Sequence, residues 1–127
     1  MLEFKNALKI GDLEVLKAKL ESGIDVNDRS GEYRFPIHKA TLSGNLEMVE
    51  LFLQYGAELD IVEPLQGNTS INLAIFNKDL EMVRLLKRKG ANLSIKNSWG
   101  MTSLEYAMYL KNNMDYHDIS EILELLK

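Results

Sequence analysis

The sequence predicts an all-α repeat fold: four helix-turn-helix units in one array, with short β-turn fingers between them. Residues 11–27 (GDLEVLKAKLESGIDVN), 44–60 (GNLEMVELFLQYGAELD) and 78–94 (KDLEMVRLLKRKGANLS) align without a gap. A second shared block precedes each: LEFKNA (2–7), FPIHKA (35–40), TSINLA (69–74) and, in a fourth unit, TSLEYA (102–107). The closing residues Ala7, Ala40, Ala74 and Ala107 are spaced by 33, 34 and 33. Self-similarity at a period of this length marks stacked supersecondary units, each of which buries its apolar face only against its neighbours. The chain also has 127 residues and 46% apolar content, enough for one domain with its own core.

The elements follow in order within each unit. The first blocks read as short helices, with Ile37, Ala40 and Thr41, or Ile71, Ala74 and Ile75, on one face; Gly44 closes one of them. The second blocks read as longer helices. Leu46, Val49, Phe52 and Leu53 fall at helical spacing, and Gly23, Gly56 and Gly90 follow where a left-handed cap ends a helix. Turn-rich stretches separate the units: DRSGEYRF (28–35), VEPLQGN (62–68) and KNSWGM (96–101). The repeats are therefore expected at about 1–27, 28–60, 61–94 and 95–127 of a single domain spanning 1–127. In the fourth unit HDISEILELLK (117–127) matches KDLEMVRLLKR once an insertion at 111–116 is allowed. That insertion either extends the preceding helix or adds a side wall. Glu121 and Glu124 replace the apolar residues of earlier units, as a terminal helix facing water requires. The predicted core comprises Leu16, Leu20, Ile37, Ala40, Val49, Leu53, Ile71, Ala74, Val83, Leu86 and Leu104.

A helix, a turn, a second helix and a projecting β-turn at this period resembles the ankyrin repeat. FPIHKA keeps the Pro, the aliphatic residue, the His and the Ala of that family's T-P-L-H-x-A block, and KGANLS and YGAELD resemble its G-A-x-x-N ending. Several positions depart: Ser70 and Ser103 replace the Pro, Asn72 and Glu105 replace the His, Tyr33 stands where the finger usually has Gly, and Lys78 replaces the Gly closing a first helix. The resemblance implies that His38 hydrogen-bonds the neighbouring turn. It also implies that recognition falls to the end of each first helix and to the residues flanking each finger turn. These include Leu42, Phe76, Asn77 and Tyr109 on the helices, and Glu32, Arg34, Gln66, Trp99 and Met101 on the fingers. Apolar and aromatic residues at positions that packing does not require mark a contact surface. These nine are the candidate partner-binding residues.

Composition narrows the chemistry. There is no cysteine, which removes thiolate nucleophiles, disulfides and cysteine-ligated zinc. A net charge of −4 argues against a phosphate-backbone binder. Glu3 and Lys5 interrupt the stretch a signal peptide would need, and no apolar run approaches the roughly 20 residues of a spanning helix. The chain is expected to be soluble, cytoplasmic and monomeric alone. His38 and His117 lie too far apart to share a metal, and Gly31, Gly67 and Gly100 are isolated turn residues, not a phosphate loop. Asp79 with Glu81, and Asp115 with Asp118, lie mostly at helix starts, where backbone N–H groups favour negative charge. Lys87, Arg88 and Lys89 complement the end of the same helix. No catalytic, cofactor-binding or metal-binding residue is expected, and neither nucleic acid nor membrane is an expected partner. The array is expected to be complete at both ends, acting on another protein by sequestration, inhibition or scaffolding. Two alternatives stand beside this reading: a bacterial immunity-type neutraliser of a toxin, and an enzyme with a shallow site.

Overall fold

In the computed structural model, which describes residues 2–127, every helix lies on one of the shared blocks or on their counterpart near the C-terminus. Among the described residues there are eight helices and no strand: α1 (Leu2–Ile10), α2 (Leu13–Glu21), α3 (Pro36–Leu42), α4 (Leu46–Gln54), α5 (Ser70–Phe76), α6 (Leu80–Arg88), α7 (Ser103–Asn113) and α8 (Ser120–Leu126). This is the all-α repeat architecture the period predicts, with fingers built of turns.

The starts of α2, α4 and α6 follow from side chains that satisfy free N–H groups. Asp12, Asn45 and Asp79 precede α2, α4 and α6 and accept hydrogen bonds from the N–H groups of Val15, Met48 and Met82 at 3.2, 3.1 and 3.2 Å. The acids at these starts are therefore structural. Among the first helices, α3 and α7 are capped from inside their first turn. His38 Nδ1 accepts from the Phe35 N–H at 3.3 Å, and Pro36 has no N–H to satisfy. This is the turn hydrogen bond that the resemblance implies for His38. Glu105, which replaces the His, does the same work: it accepts from the Thr102 N–H at 2.9 Å while its own N–H donates to Thr102 Oγ1 at 3.3 Å. The bond from the Thr102 backbone holds the Glu105 carboxyl below the usual carboxylate range, assisted by the Thr102 side chain. Asn72 stands at the same position of α5 and instead bonds Asn68 and Ser103 in the interior.

Between the two helices of a repeat the chain passes through the left-handed region at Gly11 (φ +78°), Gly44 (φ +73°) and Lys78 (φ +55°). A non-Gly residue in this conformation costs about 1 kcal/mol or more. The Lys78 side chain has partners that offset this cost: Nζ lies 3.6 Å from Asp118 Oδ1 and 4.6 Å from the centroid of the Tyr116 ring.

The chain divides into two compact units, Met1–Glu58 and Leu59–Lys127. In the first, α1 pairs with α2 and α3 with α4, and the pairs stack α1 on α3 and α2 on α4. Phe4 and Phe52 stack with ring centroids 5.9 Å apart, among the buried Leu16, Ile37, Met48 and Val49. Asn27 ties the two repeats together, donating to Gly56 O at 3.0 Å and accepting from the Glu58 N–H at 3.0 Å. The core of α4 runs through Met48, Val49 and Phe52, whereas the expected core residue Leu53 is only half-buried. Phe52 takes the central place because it is the residue that meets Phe4.

In the second unit α5 pairs with α6 and α7 with α8, and the pairs stack α5 on α7 and α6 on α8. Asp60 repeats the tie of Asn27, accepting from the Asn92 N–H at 2.9 Å. The buried face of α7 is Ser103, Tyr106, Ala107 and Leu110, which leaves the expected core residue Leu104 half-buried beside the stripe. Helix α8 buries Ile122, Leu123 and Leu126 and exposes Glu121 and Glu124. The insertion does two things. Its first residues extend α7 to Asn113, and the rest folds back, so that the Tyr116 hydroxyl donates to the Phe76 carbonyl at 2.6 Å.

Candidate functional site

The second unit carries an open cleft of about 450 Å³ at the ends of α5 and α7, beneath two fingers. Phe76, the last residue of α5, and Tyr109 on α7 form its helical walls, and Trp99 and Met101 face it from the finger before α7. Gln66 enters from the finger before α5. Tyr106, Leu110 and Met114 complete the lining. No lining side chain carries a formal charge at neutral pH. Phe76, Trp99, Tyr109 and Met114 are 47%, 61%, 46% and 53% exposed, high values for side chains this apolar.

A buried polar network holds the fingers in place. Asn97 Oδ1 accepts from the N–H groups of Trp99 and Met101 at 3.0 and 3.1 Å, which closes the finger turn. Its Nδ2 donates to Asn68 Oδ1 at 3.3 Å, as does Asn72 Nδ2 at 3.2 Å, and Ser103 Oγ donates to Asn72 Oδ1 at 2.7 Å. Asn68 Nδ2 in turn donates to Gln66 Oε1 at 3.3 Å. The finger before α5 has its own anchor. The buried Glu63 carboxylate accepts from the N–H groups of Leu65, Gln66 and Asn68 at 2.9, 2.8 and 3.2 Å. The fingers meet at Gly67, where the Ser98 N–H donates to Gln66 O at 2.9 Å. A Cβ on Gly67 would lie 2.9 Å from Ser98 Oγ and 3.0 Å from Ser98 N, so the close approach demands glycine as firmly as its φ of +67° does. Burial pushes the Tyr106 phenol up to about 12; the Tyr116 phenol and the Glu63 carboxylate add to the rise, and the Asn68 amide opposes it.

Five of the nine candidate residues, Gln66, Phe76, Trp99, Met101 and Tyr109, thus line one cleft, and the exposed Asn77 directly follows α5. The other three belong to the first unit. Glu32 pairs with Lys39 at 3.4 Å and Lys5 at 3.9 Å, Arg34 is half-buried beside it, and Leu42, the last residue of α3, is half-buried. Glu32 is therefore engaged within its own unit. Sequence reasoning missed Tyr106 and Met114 as cleft residues, and Glu63, Asn72 and Asn97 as the supports of the fingers. A signal for Tyr106 was present: it stands three and four residues before Tyr109 and Leu110, so that they neighbour one another on α7. Among the described residues no group of three or more His, Asp or Glu side chains is placed to hold a metal ion. None of the described helices is long and apolar enough to cross a membrane.

Comparison with known proteins agrees with this architecture. The family model described as ankyrin repeats (3 copies) matches residues 4–97. The chain is 32% identical over 114 residues to serine/threonine-protein kinase 12 of Arabidopsis thaliana, covering 88% of this chain and 25% of the kinase. It is 27% identical over 113 residues to an ankyrin repeat protein of fowlpox virus (strain NVSL), covering 89% of this chain and 25% of that protein. The chain thus spans about a quarter of the length of these two relatives. Similarity to cyclin-dependent kinase 4 inhibitor B of Bos taurus is 27% over 105 residues, covering 83% of this chain and 79% of the inhibitor. With the period, the caps, the paired helices and a family model matching most of its length, this chain belongs to the ankyrin repeat family.

Proposed function

We propose that the chain binds another protein through the uncharged aromatic cleft of its second unit and acts by occupying that protein's surface, through sequestration, inhibition or scaffolding. The observation that carries this is the exposure of Phe76, Trp99, Tyr109 and Met114 around one cleft. Aromatic side chains of this kind dominate the energetics of protein interfaces, and folding alone gives no reason to expose them together. Ankyrin repeats generally mediate protein–protein interaction, and one relative is named as a kinase inhibitor, which supports the inhibitory mode. Glu32, Arg34, Leu42 and Asn77 are proposed as further contacts. The proposed working form is a monomeric cytoplasmic protein in which residues 1–127 act as one four-repeat, non-catalytic domain.

The test uses tagged protein expressed in its native cells. Trp99→Ala and Phe76→Ala should each reduce partner recovery, by about 2 kcal/mol of binding energy at a hot spot, with the melting temperature nearly unchanged. Lys17→Glu and Arg84→Glu, exposed on second helices, should leave recovery intact apart from what salt screens. If the partner is a toxin, the cleft substitutions also abolish protection at unchanged protein level. Recovery lost with the charge reversals and kept with Trp99→Ala and Phe76→Ala would overturn the assignment.

A further inference from the structure

No lining residue of the cleft is charged, and beside the phenol and indole groups of Tyr106, Tyr109 and Trp99 the lining has one side-chain amide, that of Gln66. Which end of its amide is free follows from backbone groups whose polarity is fixed. The Trp99 and Met101 N–H groups can only donate, so the Asn97 side chain must present Oδ1 to them and Nδ2 to Asn68. Asn68 therefore faces Asn97 with its oxygen, which also accepts from Asn72 Nδ2, and turns its own Nδ2 to Gln66. Gln66 must answer with Oε1. Its Nε2 hydrogens have no partner among the described residues, and the residue is exposed and lines the cleft. The relay sets a hydrogen-bond donor beside apolar and aromatic walls, in a space within the roughly 300–1,000 Å³ range of small-ligand sites.

Resting on the protein-binding reading above, we propose that Gln66 is the specificity-determining residue of the cleft. It selects an uncharged, apolar segment of a partner protein whose main-chain carbonyl accepts from Gln66 Nε2 while the adjoining side chain enters among Phe76, Trp99 and Tyr109. A basic side chain entering the cleft offers only donors to this donor. An acidic side chain could accept, but its charge would lose water to uncharged walls with no cation among them. A neutral carbonyl flanked by hydrocarbon meets both demands.

Trp99 is the only tryptophan, so its fluorescence reports the cleft directly. The probes are N-acetyl-L-leucinamide, which has carbonyl acceptors beside a branched alkyl chain, and 3-methylbutylammonium, which keeps the alkyl chain and carries only donors. The wild-type protein should prefer the amide by about tenfold, the worth of one good hydrogen bond. Gln66→Glu keeps an oxygen for Asn68 to donate to, so the melting temperature should hold, and it exchanges the free donor for an acceptor, so the preference should reverse. Equal affinity for both probes, or a preference that Gln66→Glu leaves unmoved, overturns the proposal. Tighter wild-type binding of the ammonium overturns it in favour of an aromatic cation cage. Should the wild type bind neither probe at millimolar concentration while Trp99→Ala still abolishes partner recovery, the Gln66 assignment falls and the protein-binding reading stands.

Discussion

Asn97→Ala tests the link between the buried network and the exposed site. Asn97 is 6% exposed and makes three side-chain hydrogen bonds, two from the backbone of its own finger and one to Asn68. Each such bond is worth about 1 kcal/mol net, and a partner left buried without an acceptor costs more than one that water can reach. Truncation strands the Trp99 and Met101 N–H groups and removes one donor from Asn68, so the expected loss is about 3 kcal/mol. With a urea m-value of about 2 kcal/mol per molar, the unfolding midpoint should fall by about 1.5 M. The assay is urea unfolding followed by Trp99 fluorescence, which reports the finger, and in parallel by far-ultraviolet circular dichroism. Asn113→Ala is the control: Asn113 is exposed and its amide donates only to the Tyr109 carbonyl one turn back, so its midpoint should stay close to wild type. A wild-type midpoint for Asn97→Ala would mean that the finger holds its shape without the network, and the reasoning that fixes the Gln66 amide would fail with it.

Three further outcomes follow from the packing and the titrating groups. Phe52→Ala should destabilise by about 3–5 kcal/mol because it removes a fully buried ring stacked on Phe4, while the half-buried Leu53→Ala should cost only about 1–2 kcal/mol; denaturant midpoints that rank them the other way refute the register of α4. Lys78→Gly relieves a left-handed backbone but releases Asp118 and Tyr116, so the net change should lie within about 1 kcal/mol of zero while amide exchange rises around Tyr116; clear stabilisation with unchanged exchange there refutes the clasp. The Tyr106 phenol titrates at about 12 in the folded protein and near 10 when unfolded, so the unfolded chain releases that proton first. Its contribution to stability is complete below pH 10 and is lost as pH rises through 12. Tyr106→Phe should therefore flatten part of the alkaline fall in melting temperature, and identical profiles for the two proteins refute the assignment.

The repeat architecture was legible because its signals lie close together along the chain. Asp12, Asn45 and Asp79 reach N–H groups three residues away, and Pro36 with His38 caps a helix within one turn, so short windows of sequence contain both partners. The same holds for the exposed candidates: Phe76, Trp99, Met101 and Tyr109 stood out because they are apolar at positions each repeat leaves open. The remaining features involve partners far apart in the chain. Val49 with Phe52 and Val49 with Leu53 are equally good helical spacings, and the ring of Phe4, brought onto α4 by folding, selects Phe52. The insertion at 111–116 extends α7 and also returns to Phe76, because the Tyr116 hydroxyl finds a carbonyl 40 residues earlier. The donor end of Gln66 is set through Asn68 and Asn97, which are 29 residues apart and meet only because one finger stacks on the next. The period, the helices and the positions left free of packing are written in short stretches of sequence, since they rest on interactions between near neighbours. The stacking of repeats decided which faces touch and how the site's hydrogen-bond groups point, since that geometry exists only once separate repeats are packed together.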